Sequence, residues 1–170
     1  SSFGPLIYDC TLNGTRAKAL LDTGCTNLPV NISNLAVASA YCSPDWVKRS
    51  GLKTQQSPAS FEVIVANEEK VSCKRYIPNL ELRFGPYKER IDLFVFEGSN
   101  AFDLVLGRQW FKLRDVVVDN STDDMTLPYK SSRIKVPLTS MDRRIFNKGR
   151  YIWVLGMESM LVFNGPRMIT

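Results

Sequence analysis

Short apolar runs separated by turn residues recur along the chain and predict many short strands. Leu6-Ile7-Tyr8-Asp9-Cys10-Thr11-Leu12 is a β-rich run that ends at Asn13-Gly14, a strong signal for a tight hairpin turn. Thr15 to Leu21 returns as the partner strand, with Ala17, Ala19 and Leu21 on one face. A short helix is predicted over 33–40, with Ser33 as its N-cap. Residues 43–60, punctuated by Pro44, Gly51 and Pro58, read as a long connection. Strands follow over 61–66 and 71–76, joined into a hairpin by the polar tip 67–70. Leu80 to Phe84 alternates with period two, Gly85-Pro86 turns the chain, and 91–96 is a further strand. Leu104-Val105-Leu106-Gly107 suits a buried strand, and 108–113 a short helix offering Trp110, Phe111 and Leu113 to the core. Strands are predicted at 116–119, 125–129 and 134–138, and a final pair at 151–155 and 160–163. The fold class is all-β, a barrel or sandwich with one or two short helices.

Composition narrows the chemistry. The 170 residues are 44% hydrophobic, enough for a real core in one domain with room for an appendage. No apolar run approaches the roughly 18–20 residues that span a bilayer. Ser1-Ser2-Phe3-Gly4-Pro5 lacks the features of a signal peptide and reads as an internal cut from a longer polypeptide. The sequons at Asn13, Asn31 and Asn120 therefore read as chance.

The net charge of +5 reads first as a solvated basic surface. Arg143, Arg144, Lys148 and Arg150 cluster near the C-terminus with Phe146, Tyr151 and Trp153 interleaved. A nucleic-acid partner would fit that cluster, but no nucleic-acid motif accompanies it.

The chain contains no histidine, which removes Ser-His-Asp and Cys-His nucleophiles and His-containing zinc sites. Its four cysteines (Cys10, Cys25, Cys42, Cys73) show no Cys-x-x-Cys spacing, so a metal knuckle is not expected and reduced thiols are. What remains is Leu20-Leu21-Asp22-Thr23-Gly24, where a strand runs into a tight turn that can present a carboxylate to a cleft. Asp-Thr-Gly alone also suits an ordinary turn. Its order before a second hairpin and before Asp103-Leu104-Val105-Leu106-Gly107-Arg108-Gln109-Trp110-Phe111 gives it weight.

In that order the chain resembles the retropepsins, the aspartic proteases of retroviruses and LTR retrotransposons, and the second motif is similar in style to the gypsy-type elements. The resemblance covers about residues 3–120. It implies a retropepsin-like acid-protease barrel over 1–120, an active site at a homodimer interface, and a strand-rich extension or linker over 121–170 toward a next polyprotein domain. Asp22 is then the catalytic carboxylate, supported by Thr23 and Gly24. The single copy calls for a second chain, because two carboxylates must share one proton. Cys25, Thr26 and Asn27 would line the subsites, and Val65, Ala66, Asn67 and Glu68 would form the flap. Val105, with Phe102 nearby, would help build apolar pockets. Asp103 and Asp119 lack a following Thr-Gly or Ser-Gly and are rejected as the second carboxylate.

The implied function is an endopeptidase that matures its own retroelement polyprotein inside the cell, in the cytoplasm or in virus-like particles, with no cofactor, metal or membrane. The chain departs from the family pattern in places. The flap tip lacks glycine, and Thr26 stands where retroviral enzymes carry an Asp that pairs with the arginine at the position of Arg108. These departures, with the long extension, motivate the alternative of a non-catalytic retropepsin-fold module that binds peptide or RNA.

Overall fold

The β1 strand (Leu6–Leu12) and β2 (Thr15–Leu21) pair as the expected hairpin, from Leu6 opposite Leu21 to Leu12 opposite Thr15. The turn places Asn13 at φ 49° and Gly14 at φ 84°, the left-handed geometry that matches the twist of the flanking strands. The structure, a computed structural model, describes residues 6–21, 40–64, 70–97 and 102–141. The helix expected over 33–40 (save Ala40), the hairpin tip at 67–69 and the strands expected at 151–155 and 160–163 lie outside the described residues.

After β3 (Ala40–Cys42) the stretch expected to be a long connection contains a helix, α1 (Pro44–Ser50). Its local signals are complete. Ser43 caps it by accepting the Trp46 N–H at 3.1 Å, Pro44 opens it, Asp45 sits in the first turn, and Lys48 and Arg49 sit in the last. Gly51 ends it at φ 72° and donates to the Lys48 and Val47 carbonyls. Trp46 and Val47 are buried, and Trp46 Nε1 donates to the Arg16 carbonyl, fastening α1 to β2.

Next come β4 (Gln55–Ile64), β5 (Lys70–Phe84) and β6 (Tyr87–Val95) as an antiparallel meander. The two strands expected over 71–76 and 80–84 are one strand, broken in register between Ile77 and Leu80. Pro78 has no N–H to give the ladder, and Asn79 sits at φ 58°. The β6 side chains repair the gap: Asp92 accepts the Asn79 N–H at 2.8 Å and Arg90 donates to the Asn79 carbonyl at 3.1 Å.

The remaining elements are β7 (Leu104–Leu106), α2 (Arg108–Leu113), β8 (Val117–Val118), β9 (Met125–Tyr129), β10 (Ser132–Val136) and β11 (Ser140–Met141). The sheet runs β11-β1-β2-β7-β3-β6-β5-β4, and a further β1–β5 pairing closes six of these strands into a barrel. The fold is mainly β with two short helices, as the pattern of short strands implies. The strand expected over 134–138 begins and ends two residues earlier.

The interior holds Leu12, Leu80, Leu82, Phe84, Leu93 and Leu104, with Trp46 and Trp110 brought in by the two helices. Phe111 packs against this cluster, but Leu113, also expected in the core, is 66% exposed at the end of α2. A smaller sheet, β8-β9-β10, adds Met125, Leu127 and Val136 to the same interior. Beyond it, β11 returns to pair with the start of β1.

Candidate functional site

The β2 strand delivers the chain to the candidate site. Its last residues lie in parallel register with β7, Ala19 beside Leu104, Leu20 beside Val105 and Leu21 beside Leu106. Parallel pairing puts the end of β2 next to Gly107, where α2 begins. Asp22, Thr23, Gly24, Cys25, Thr26 and Asn27 follow at once in the sequence and lie outside the described residues, as do Val65, Ala66, Asn67 and Glu68. Of the sequence-predicted site residues, the structure therefore places Val105, buried at the centre of β7, together with the nearby half-buried Phe102.

Val105 belongs to a row that sequence reasoning missed. Following the register strand by strand, Ile7 faces Leu20, Leu20 faces Val105, Val105 faces Tyr41, Tyr41 faces Phe94, and Phe94 faces Tyr76. Each residue alternates with neighbours that point into the barrel, so the row projects outward. An outward row on a barrel is ordinarily polar, yet here Leu20 is 0%, Phe94 2% and Val105 9% exposed. Tyr76 and Phe94 stack at 5.5 Å. The row runs from the last turn of β2 to the base of the β4–β5 hairpin, where Tyr76 faces Gln55. It is an apolar wall joining the segment that carries Asp22 to the hairpin that carries 65–68. A signal for it existed: Ala19-Leu20-Leu21, Leu104-Val105-Leu106 and Leu93-Phe94-Val95 do not alternate, the mark of strands covered on both faces.

The frame around this wall is fixed by carboxylates. Asp103 accepts the Lys18 N–H at 2.9 Å and pairs with Arg49 at 3.0 Å, while its carbonyl accepts the Ser43 N–H, so one residue ties β2, α1 and β7 together. Asp119 caps a turn, accepting from the Ser121 and Thr122 N–H groups and the Ser121 hydroxyl. These bonds, the Ser121 hydroxyl foremost, hold its carboxyl down at about 2. On the far side of β7, Glu89 on β6 receives Arg114 Nε and Nη2, both at 2.6 Å, and Trp110 Nε1 at 2.9 Å, anchoring α2. The Arg114 guanidinium also lies 5.1 Å from the Trp110 ring centroid. Burial lowers the Arg114 pKa, but the Glu89 bonds and charge outweigh it and the net shift is upward. Arg108 at the start of α2 is exposed.

Cysteine chemistry finds little support in this frame. Cys10, Cys42 and Cys73 are free and buried. Burial pushes the Cys10 and Cys42 thiols up to about 12 and raises Cys73 as well, so all three stay protonated at neutral pH.

The architecture has close counterparts among solved structures. The retroviral protease-like domain of Ddi1 from Leishmania major superposes with a TM-score of 0.54 at 17% identity, covering 81% of this chain and 95% of that one. A retropepsin-like aspartic protease from Rickettsia conorii gives a TM-score of 0.51 at 17% identity, covering 79% and 89%. The chain has the retropepsin fold. Neither a protein-family model nor a curated protein sequence matches it. Among the described residues, no helix is long and apolar enough to cross a membrane.

Proposed function

We propose that the protein is an aspartic endopeptidase whose active form is a homodimer, with Asp22 from each chain forming the catalytic pair. One observation carries the reading: a retropepsin barrel in which β2 runs directly into Asp22-Thr23-Gly24, beside an apolar wall built from Leu20, Val105 and Tyr41. Two Asp22 carboxylates held together cannot both ionise, so one stays protonated. The ionised carboxylate takes a proton from a water as that water attacks the scissile carbonyl. The protonated one gives its proton to the carbonyl oxygen, and the pair later protonates the departing amine. In this reading Thr23 braces the paired loops and Gly24 leaves room for substrate backbone. Cys25, Thr26 and Asn27 offer subsite contacts, and Val65, Ala66, Asn67 and Glu68 close over an extended peptide bound as an added strand.

The substrate class that fits this reading is a peptide with large apolar side chains flanking the scissile bond, as the resemblance implies for Val105 and Phe102. Self-maturation of a retroelement polyprotein, with residues 121–170 as the extension toward a next domain, is the biological setting we propose. The test compares the wild-type chain with Asp22→Asn on a fluorogenic peptide with apolar residues at its centre, between about pH 4 and 7, the range in which a shared-proton dyad operates. Cleavage that disappears in Asp22→Asn while the sedimentation behaviour stays unchanged supports the reading. Undiminished cleavage in the variant refutes it.

A further inference from the structure

Toward its turn, beyond Ile7 and Leu20, the outward face of the β1–β2 hairpin changes from apolar to charged. Asp9, Thr11, Arg16 and Lys18 alternate with the interior residues of both strands. With Arg49 and Arg83 they line an open groove of about 710 Å³. Its row geometry is simple: Arg83 on β5 faces Thr11 on β1, and Thr11 faces Arg16 on β2. Two guanidinium-bearing residues thus straddle a threonine across adjacent strands.

Among the described residues the groove is lined by four basic side chains and two acidic ones. Asp9 is engaged by Lys18 Nζ at 2.9 Å, and Asp103 by Arg49 and the Lys18 N–H. Arg83 meets Glu81 through Nε at 3.0 Å, which leaves its two terminal nitrogens to other partners. Arg16 is exposed and forms no ion pair among the described residues. The free cationic capacity therefore concentrates at the Arg16–Thr11–Arg83 row.

We propose that this groove is a docking site for an acidic, extended polypeptide segment. Arg16 and Arg83 stand two strand spacings apart, about 9.6 Å at about 4.8 Å each, a gap that long acidic side chains two residues apart in an extended peptide, about 6.6 Å at the backbone, can bridge. Carboxylates at alternate positions of such a segment reach both arginines, and each guanidinium donates two parallel bonds to one of them. Among the described residues the groove has no aromatic side chain on which a base could stack, and Asp9 and Asp103 repel a uniformly charged phosphodiester chain. A mixed lining of this kind suits a few spaced carboxylates better than a polyanion. Arg16 lies about 17 Å along β2 from its last residue and Lys18 about 10 Å, at roughly 3.3 Å per residue, so the arginine row stands apart from the proposed catalytic pair.

The test is fluorescence anisotropy of a labelled peptide of alternating Glu and Thr, titrated with the full chain at low salt. We expect saturable binding that weakens with added salt, falls at least about tenfold in both Arg16→Gln/Arg83→Gln and Arg16→Glu/Arg83→Glu, and tightens in Asp9→Asn. Both arginines are exposed, so an unchanged thermal unfolding midpoint should accompany the loss. Undiminished affinity in the glutamine double variant would overturn the proposal. So would loss of binding only when Arg143 and Arg144 are reversed, or a labelled oligothymidine that binds more tightly than the acidic peptide through the same arginines.

Discussion

Replacing Glu89 by Gln tests how α2 is held against the barrel. Glu89 accepts from Arg114 Nε and Nη2 at 2.6 Å and from Trp110 Nε1 and the Tyr87 hydroxyl at 2.9 Å. Glutamine keeps the shape but offers one oxygen, and its amide N–H₂ then faces guanidinium donors. A hydrogen bond to a charged group contributes about 1.5–3 kcal/mol, and breaking a fully buried ion pair costs about 3–5 kcal/mol. The Arg114 and Glu89 side chains keep 25% and 16% exposure, so water recovers part of that loss. We therefore expect a cost of about 2–3 kcal/mol, a large share of a stability of about 5–15 kcal/mol. Urea unfolding followed by tryptophan fluorescence reads it, since Trp46 and Trp110 are both buried. With a slope of about 1–3 kcal/mol per molar, the midpoint should fall by about 0.7–3 M. Arg114→Met in the Glu89→Gln background should restore part of the loss by removing the stranded charge. A midpoint within about 0.3 M of wild type, well below the shift that slope implies, would refute this account of the anchor.

Three further outcomes follow from the same geometry. Ser43→Ala, which removes the α1 cap beneath Trp46, should lower stability by about 1 kcal/mol in the same urea assay. Leu106→Ala, in the interior, should cost about 2–5 kcal/mol, while Val105→Ala beside it should cost less and, on the protease reading, raise KM for substrates with large apolar side chains more than it lowers kcat. Asp119 titrates at about 2, below an unfolded value of about 3.9, so its stabilising contribution is present above about pH 4 and lost as the pH falls toward 2. The stability gap between wild type and Asp119→Asn should therefore shrink over that range, measured as urea midpoints at each pH.

The sequence made some of this architecture readable and concealed the rest for physical reasons. Leu6–Leu12 and Thr15–Leu21 were legible because period-two burial and an Asn-Gly turn agree on one hairpin. Arg108–Leu113 was legible because a single buried Trp110 follows a glycine-terminated strand. The α1 helix was hidden by the proline, glycine and serine around it, although Ser43, Pro44 and Gly51 are its own caps and not breaks in it. The unity of β5 was hidden by Pro78, whose missing N–H is compensated across the sheet by Asp92 and Arg90, partners that no local window contains. At the candidate site, Val105 was expected to help build a pocket; its row-mates Leu20, Tyr41 and Phe94 come together only through two parallel pairings and one antiparallel pairing of distant segments. Asp22 rests on the motif and on the strand that leads to it.

The segment after Val118 does two physical tasks for the barrel. Met125 and Leu127 alternate inward along β9, and with Val136 they complete an apolar surface that includes Phe84, Tyr87 and Trp110. Tyr129 meets Tyr87 edge-on at 5.2 Å, and the Tyr8 hydroxyl donates to the Asp123 carbonyl at 2.6 Å, so the small sheet is fastened to two barrel strands. The second task concerns an edge. The β1 strand pairs with β5 only at Thr11 and Leu12, which leaves its first residues with an unpaired side. The returning chain supplies that side: β11 faces Leu6 and Ile7, Thr139 donates to the Ile7 carbonyl, and its hydroxyl accepts the Asp9 N–H. An unpaired edge at this point would be a template for pairing with other chains. Covering it from within the chain leaves the outward face of the β1–β2 hairpin divided between two ends, the apolar row toward Asp22 and the cationic groove toward the Asn13-Gly14 turn.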